Sequence, residues 1–89
     1  MNTSAVPRLK PGFKLRFDQT REQWVILGPE RLFQPDEHAV AVLQRMDGKR
    51  TISDIAADLA RDYAAPAEVI EADVRAMLTD LAARGAVSL

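Results

Sequence analysis

Trp24-Val25-Ile26-Leu27-Gly28-Pro29-Glu30-Arg31-Leu32-Phe33-Gln34 decides the architecture. Trp24 to Leu27 is an unbroken apolar run, too short for a helix and stopped by Gly28-Pro29, so it predicts a strand partly covered on both faces. Pro29, with its φ preset, suits the second position of a type I turn. Arg31 to Gln34 then returns as a second arm. Pro35 has no N–H for a ladder, so pairing ends there. The arm Arg31-Leu32-Phe33-Gln34 is expected to be an edge strand.

Upstream, Phe13, Leu15 and Phe17 alternate with Lys14, Arg16 and Asp18, the period of a half-buried strand. Residues 1–12 carry Pro7 and Pro11 and little periodicity, and are expected to form a flexible arm that becomes ordered near Leu9. Downstream, three helices are predicted. Asp36 or Pro35 opens the first, with Ala39, Val42, Leu43 and Met46 on one face and Asp47-Gly48 at its end. Thr51-Ile52-Ser53-Asp54 is a variant capping box for the second, whose stripe is Ile52, Ile55, Ala56, Leu59 and Tyr63. Pro66 starts the third, whose stripe is Ile70, Val74, Met77, Leu78 and Leu81, and Gly85 ends it. Val87 and Leu89 are left as a short extended piece.

A three-stranded antiparallel sheet cannot bury its apolar face alone, so the helices must cover it. The expectation is an α+β, winged-helix-like domain over residues 13–89: a three-stranded antiparallel sheet followed by three helices. At 89 residues the chain makes one small domain.

Composition narrows the function. With no cysteine, disulfides, thiolate nucleophiles and cysteine-held zinc or iron–sulfur sites are excluded. The N-terminus lacks the pattern of a secretory signal, and no apolar run approaches membrane-spanning length, so a soluble cytoplasmic protein is expected. His38 is the only histidine, and it falls in the polar first turn of a helix with no evident partner. Ser4, Ser53 and Ser88 sit at ends or in a cap. Asp54, Asp58 and Asp62 share one helix face and are expected to be solvated, because a hard cation wants ligands from a loop that wraps it. The four glycines are scattered at turns, so none forms a phosphate cradle. Neither catalysis nor a cofactor is expected.

Charge argues against duplex binding. Residues 1–35 hold six Lys/Arg against three Asp/Glu, while residues 36–89 hold six against ten. The third helix carries Glu68, Glu71, Asp73 and Asp80 against Arg75 and Arg84, the wrong sign for phosphates. Recognition of a peptide remains. An edge strand offers unpaired N–H and C=O groups to another strand, and here no charge run or internal proline blocks them. Alternatively, the strand is simply short, or the N-terminal arm covers it.

Pro7-Arg8-Leu9, the strand around Arg16, Val25-Ile26-Leu27 with Pro29-Glu30, and Asp47-Gly48 with Arg50-Thr51 follow one another. Ile52, Ile55, Asp73-Val74, Leu78, Leu81 and Gly85 complete the order. Together these residues resemble the PqqD family of pyrroloquinoline quinone (PQQ) biosynthesis over nearly the whole chain. Arg31, where a small residue is expected, and Asp36-Glu37-His38, where an asparagine and a threonine are expected, depart from the pattern. The resemblance implies a peptide chaperone rather than an enzyme. Such proteins bind the ribosomal precursor peptide PqqA and present it to PqqE, a radical SAM enzyme that cross-links a glutamate and a tyrosine of the peptide. Related domains serve as leader-recognition elements in other pathways and occur fused to neighbouring enzymes.

The expected mechanism is strand addition beside Arg31–Gln34, in a groove walled by the third helix. A backbone hydrogen bond contributes about 0.5–1.5 kcal/mol net. Ordering a disordered peptide costs about 2–5 kcal/mol or more, so apolar anchors must decide affinity. The candidate peptide-binding residues are Arg31, Leu32, Phe33, Gln34, Val74, Arg75 and Leu78. Of these, Arg31 and Arg75 would meet acidic leader residues at the rim. A monomer is expected. Two other readings stay open: a winged-helix regulator binding nucleic acid, and a dimer in which the edge pairs with itself.

Overall fold

A computed structural model describes residues 4–89. Three strands form an antiparallel sheet in the order β2-β3-β4. They are β2 (Lys14–Asp18), β3 (Gln23–Gly28) and β4 (Arg31–Phe33). Helices α1 (Glu37–Gln44), α2 (Ile52–Tyr63) and α3 (Ala67–Ala83) follow. The α+β architecture of a three-stranded sheet and three helices is therefore the observed one.

A second, two-stranded sheet was not foreseen. β1 (Arg8–Leu9) pairs antiparallel with β5 (Val87–Ser88), Arg8 opposite Ser88 and Leu9 opposite Val87. Lys10 N–H extends the contact to the Ala86 carbonyl at 2.9 Å, and Ile52 N–H reaches the Ala5 carbonyl at 3.0 Å. Pro7 is fully buried. Within the stretch expected to be a loose arm, residues 5–10 are thus seated on the end of the chain and the start of α2. Met1 to Thr3, also in that stretch, lie outside the described residues.

Register sets which side chains reach the helices. Leu15 opposes Ile26 and Phe17 opposes Trp24 across β2 and β3, while Phe33 opposes Ile26 across β3 and β4. Side chains alternate faces along a strand, so Leu15, Ile26 and Phe33 share the face that packs on the helices. There they join Val42, Leu43, Ile52, Ile55, Leu59, Val74, Leu78 and Leu81 in one core. Leu27 and Leu32 oppose each other on the other face, both exposed.

The hairpin turn differs from expectation. Glu30 has φ 56°, in the left-handed region. A type I turn needs a negative φ at that position, whereas a type II turn needs a positive one. Pro29 fits the second position of either, which is why it did not discriminate between them.

Helix ends follow local chemistry. Asp36 Oδ1 accepts from the Ala39 N–H at 2.8 Å and caps α1. The Thr51 hydroxyl accepts from Asp54 N–H, and the Asp54 carboxylate accepts from Thr51 N–H, completing the capping box of α2. Pro66 is the N-cap of α3, and Gly85 follows its end with φ 86°.

The carboxylates of α2 are not a merely solvated face. Arg45, the C-cap of α1, donates to Asp58 and Asp62 at 2.6 Å each, and Arg61 donates to Asp58 at 2.8 Å. Asp54 is occupied in the cap. The cluster ties the end of α1 to α2. Hydrogen bonding from Arg45 holds Asp58 below the usual carboxylate range, helped by Arg61, and the same bond raises the Arg45 guanidinium.

Candidate functional site

β4 pairs with β3 and with no other strand among the described residues, so its far side is open. The N-terminal arm does not cover it, because that arm pairs with β5. The ladder starts where Gly28 faces Arg31 across a two-residue turn, and this closing pair is a hydrogen-bonded one. Pairs then alternate, so Leu32 is the β4 residue whose N–H and C=O point away from β3. Gln34, two residues on, follows the same sense although the strand itself ends at Phe33.

The open edge faces α3. A hollow of about 250 Å³ lies between them, lined by Phe33, Gln34, Pro35 and Asp36 on one side and Met77, Asp80, Leu81 and Arg84 on the other. A second hollow, about 310 Å³, is bounded by Arg31, Leu32, Phe33 and Arg84. A third, about 460 Å³, continues past Asp36 between the three helices and takes in Ile70, Asp73 and Met77. The hollows share lining residues in sequence, so they form one groove along α3 from Arg84 to Ile70. That span of helix is roughly 21 Å at about 1.5 Å per residue. An extended guest covers it with about six residues at about 3.3 Å each.

The groove sorts the residues singled out in the sequence. Arg31, Leu32, Phe33 and Gln34 all border it. Phe33 faces the helices, while the Leu32 side chain turns to the outer face of the sheet and is 42% exposed. The Arg31 guanidinium Nη1 donates to the Arg84 carbonyl, so it caps the end of α3 instead of standing free at a rim. Leu78 has no exposure and belongs to the core alone. Val74 is 3% exposed and floors only the third hollow. Arg75 is not in the groove. At 100° per residue it lies about 160° around α3 from Met77, on the opposite face.

Met77, Asp80, Leu81 and Arg84 supply the helical wall, and sequence reading missed all four of them as wall residues. They recur at spacings of three and four, a signal present in the sequence. The apolar stripe that was followed instead, through Val74 and Leu78, is the neighbouring face, which fills the core.

This arrangement sets an open strand edge beside a groove of mixed apolar and charged lining. The sequence profile described as coenzyme PQQ synthesis protein D (PqqD) matches residues 23–87. The chain belongs to the PqqD family.

A PqqD-family relative from Bradyrhizobium diazoefficiens, named PqqA binding protein, is 54% identical over 79 residues, which cover 89% of this chain and 77% of that one. A relative from Methylorubrum extorquens, named bifunctional coenzyme PQQ synthesis protein C/D, is 51% identical over 79 residues; the match is 89% of this chain but only 21% of that protein. The solution NMR structure of the PqqD part of Methylobacterium extorquens PqqCD is 45% identical, with a TM-score of 0.86, over 99% of this chain and 94% of that one. That PqqD domain is described as a functional, stand-alone recognition element for ribosomally synthesised and post-translationally modified peptides. The PqqD-family fold thus accounts for the sheet, the helices and their order here.

Proposed function

We propose that this chain is a peptide chaperone of PQQ biosynthesis. It binds the precursor PqqA as an added strand on β4 and presents it to the radical SAM enzyme PqqE. It performs no catalysis itself. The observation that carries this reading is the unpaired flank of β4, set beside a groove whose α3 wall is long enough for about six extended residues. Relatives named for PqqA binding supply the identity of the guest.

The outward groups of Leu32 and Gln34 would give register. Phe33, Met77 and Leu81 would receive apolar side chains of the guest, and these anchors decide the affinity for the reason already given: backbone bonds alone barely offset ordering. The set proposed for peptide contact is accordingly Leu32, Phe33, Gln34, Met77, Leu81 and Arg84, with Arg31 holding the end of the groove.

Titration of the isotope-labelled protein with synthetic PqqA tests this. Amide shifts should concentrate at residues 31–36 and along the Met77–Arg84 side of α3. Shifts confined to β2 or to the α1–α2 ion cluster, or no shifts at all, would defeat the reading.

A further inference from the structure

The hollow between the three helices has a composition that strand addition does not explain. Its floor is apolar: Ala39, Val42, Leu59 and Val74 are buried there, and Ile70 and Met77 are half-buried. Its rim is acidic, with Asp36 on the α1 side and Asp73 on α3. The rings of His38 and Tyr63 meet edge to face at the same mouth, their centroids 5.9 Å apart.

We infer that this hollow is a specificity pocket for one long basic side chain, a lysine or arginine, of the bound peptide. The inference rests on the proposed course of the guest along β4. The pocket continues that course, because Asp36, Ala39 and Met77 line both it and the hollow beside β4.

Charge selects the occupant. A purely aliphatic side chain would match the floor and leave the Asp73 carboxylate at the rim unpaired. An acidic side chain would meet them with like charge. A lysine or arginine lays its methylene stem on apolar surface while its head stays at the polar mouth. Tyr63 adds a ring face that attracts a cation. The N-terminus of α1 opposes this, but its macrodipole amounts to only about half a positive charge, against full charges on Asp36 and Asp73. The Asp73 carboxylate makes no ion pair or hydrogen bond among the described residues, so it has a charge to offer. Asp36 uses Oδ1 to cap α1.

Calorimetric titration of the protein with synthetic PqqA tests the pocket, using peptides in which each lysine and arginine is replaced singly by methionine. The protein variants are Asp73→Asn and Asp36→Asn; asparagine still caps a helix, so the second removes charge without removing the cap. Each protein variant should weaken the parent peptide by about threefold to fivefold, the range of a part-exposed ion pair. One lysine or arginine replacement should cause a similar loss and make the peptide indifferent to Asp73→Asn. Unchanged binding by both variants, while groove amides still shift, would overturn the pocket and leave strand addition standing. So would a loss that persists when every lysine and arginine of the peptide is methionine. Failure of the unaltered protein to bind PqqA would overturn both.

Discussion

Gly28 lies against the ring of Phe13: a Cβ at position 28 would fall 2.2 Å from Phe13 Cε2. The absent side chain makes room for the ring, which in turn meets Phe33 at a centroid distance of 6.4 Å. Phe33 lines the groove. A backbone position in the hairpin thus supports the groove through two aromatic rings.

Gly28→Ala should therefore destabilise the fold by about 1–3 kcal/mol, the usual range for overpacking. Thermal unfolding should show it as a fall of about 4–8 °C per kcal/mol for a domain of this size. A midpoint within 2 °C of the parent, on the same approximate scale, would mean that the ring moves aside freely.

Leu32→Pro removes a backbone donor that points away from β3, so the ladder within the protein keeps its bonds. The folded variant should bind PqqA about tenfold more weakly or worse, from the lost hydrogen bond and from the ring projecting at the guest. Leu32→Ala keeps the N–H and changes a side chain on the other face, and should shift affinity less than about threefold. Equal affinities for the two variants would rule out strand addition at this residue.

Met77→Ala and Arg75→Ala separate the two faces of α3. The first should weaken PqqA binding by about fivefold, from roughly 1 kcal/mol of lost apolar contact. The second should leave it within about twofold, because Arg75 faces away from the groove. Fluorescence anisotropy with labelled peptide measures both, and the reverse order would relocate the site.

Asp58→Asn tests the α1–α2 ion cluster. The folded-state pKa of Asp58 is lowered, so its contribution is present above the unfolded carboxylate value and lost as pH falls through the folded value. The variant should melt below the parent at pH 7. The gap should close as pH drops from about 4 downward, where the parent carboxylate also becomes neutral. A gap independent of pH would point to packing instead of charge.

Glu30→Gly removes a side chain from a left-handed residue. Relief of strain, worth about 1–2 kcal/mol, exceeds the extra unfolded-state entropy of glycine, about 0.4–1 kcal/mol. A net gain of about 0.5 kcal/mol should raise the melting midpoint by about 2–4 °C. A lower midpoint would show that the Glu30 side chain stabilises the turn.

The sheet and helices were legible because their signals are local. Alternation around Leu15, the Thr51–Asp54 box and the glycine after α3 act within a few residues of themselves, whereas α1 stops at Gln44, ahead of the expected Asp47-Gly48. The open edge was legible too, since Pro35 ends β4 and nothing after it reads as a fourth neighbour. Long-range pairings were less so. Arg8-Leu9 finds Val87-Ser88 across almost the whole chain, and neither dipeptide has a pattern long enough to announce a strand. Arg45 reaches Asp58 and Asp62 from a different helix, which spacing along α2 does not disclose. In α3, apolar residues face both the core and the groove, so the stripe alone did not say which side of it the guest would meet.

The short pairing of Arg8-Leu9 with Val87-Ser88 makes the front of the chain a clasp on its own tail. A shortened protein starting at residue 13, the border suggested by periodicity, would strip the partner from Val87 and expose the ground beneath Pro7. Trimming there would loosen the far end first and α2 soon after, since Ala5 also holds Ile52. Residues 5–10, which look dispensable by periodicity, are ones a truncation should spare.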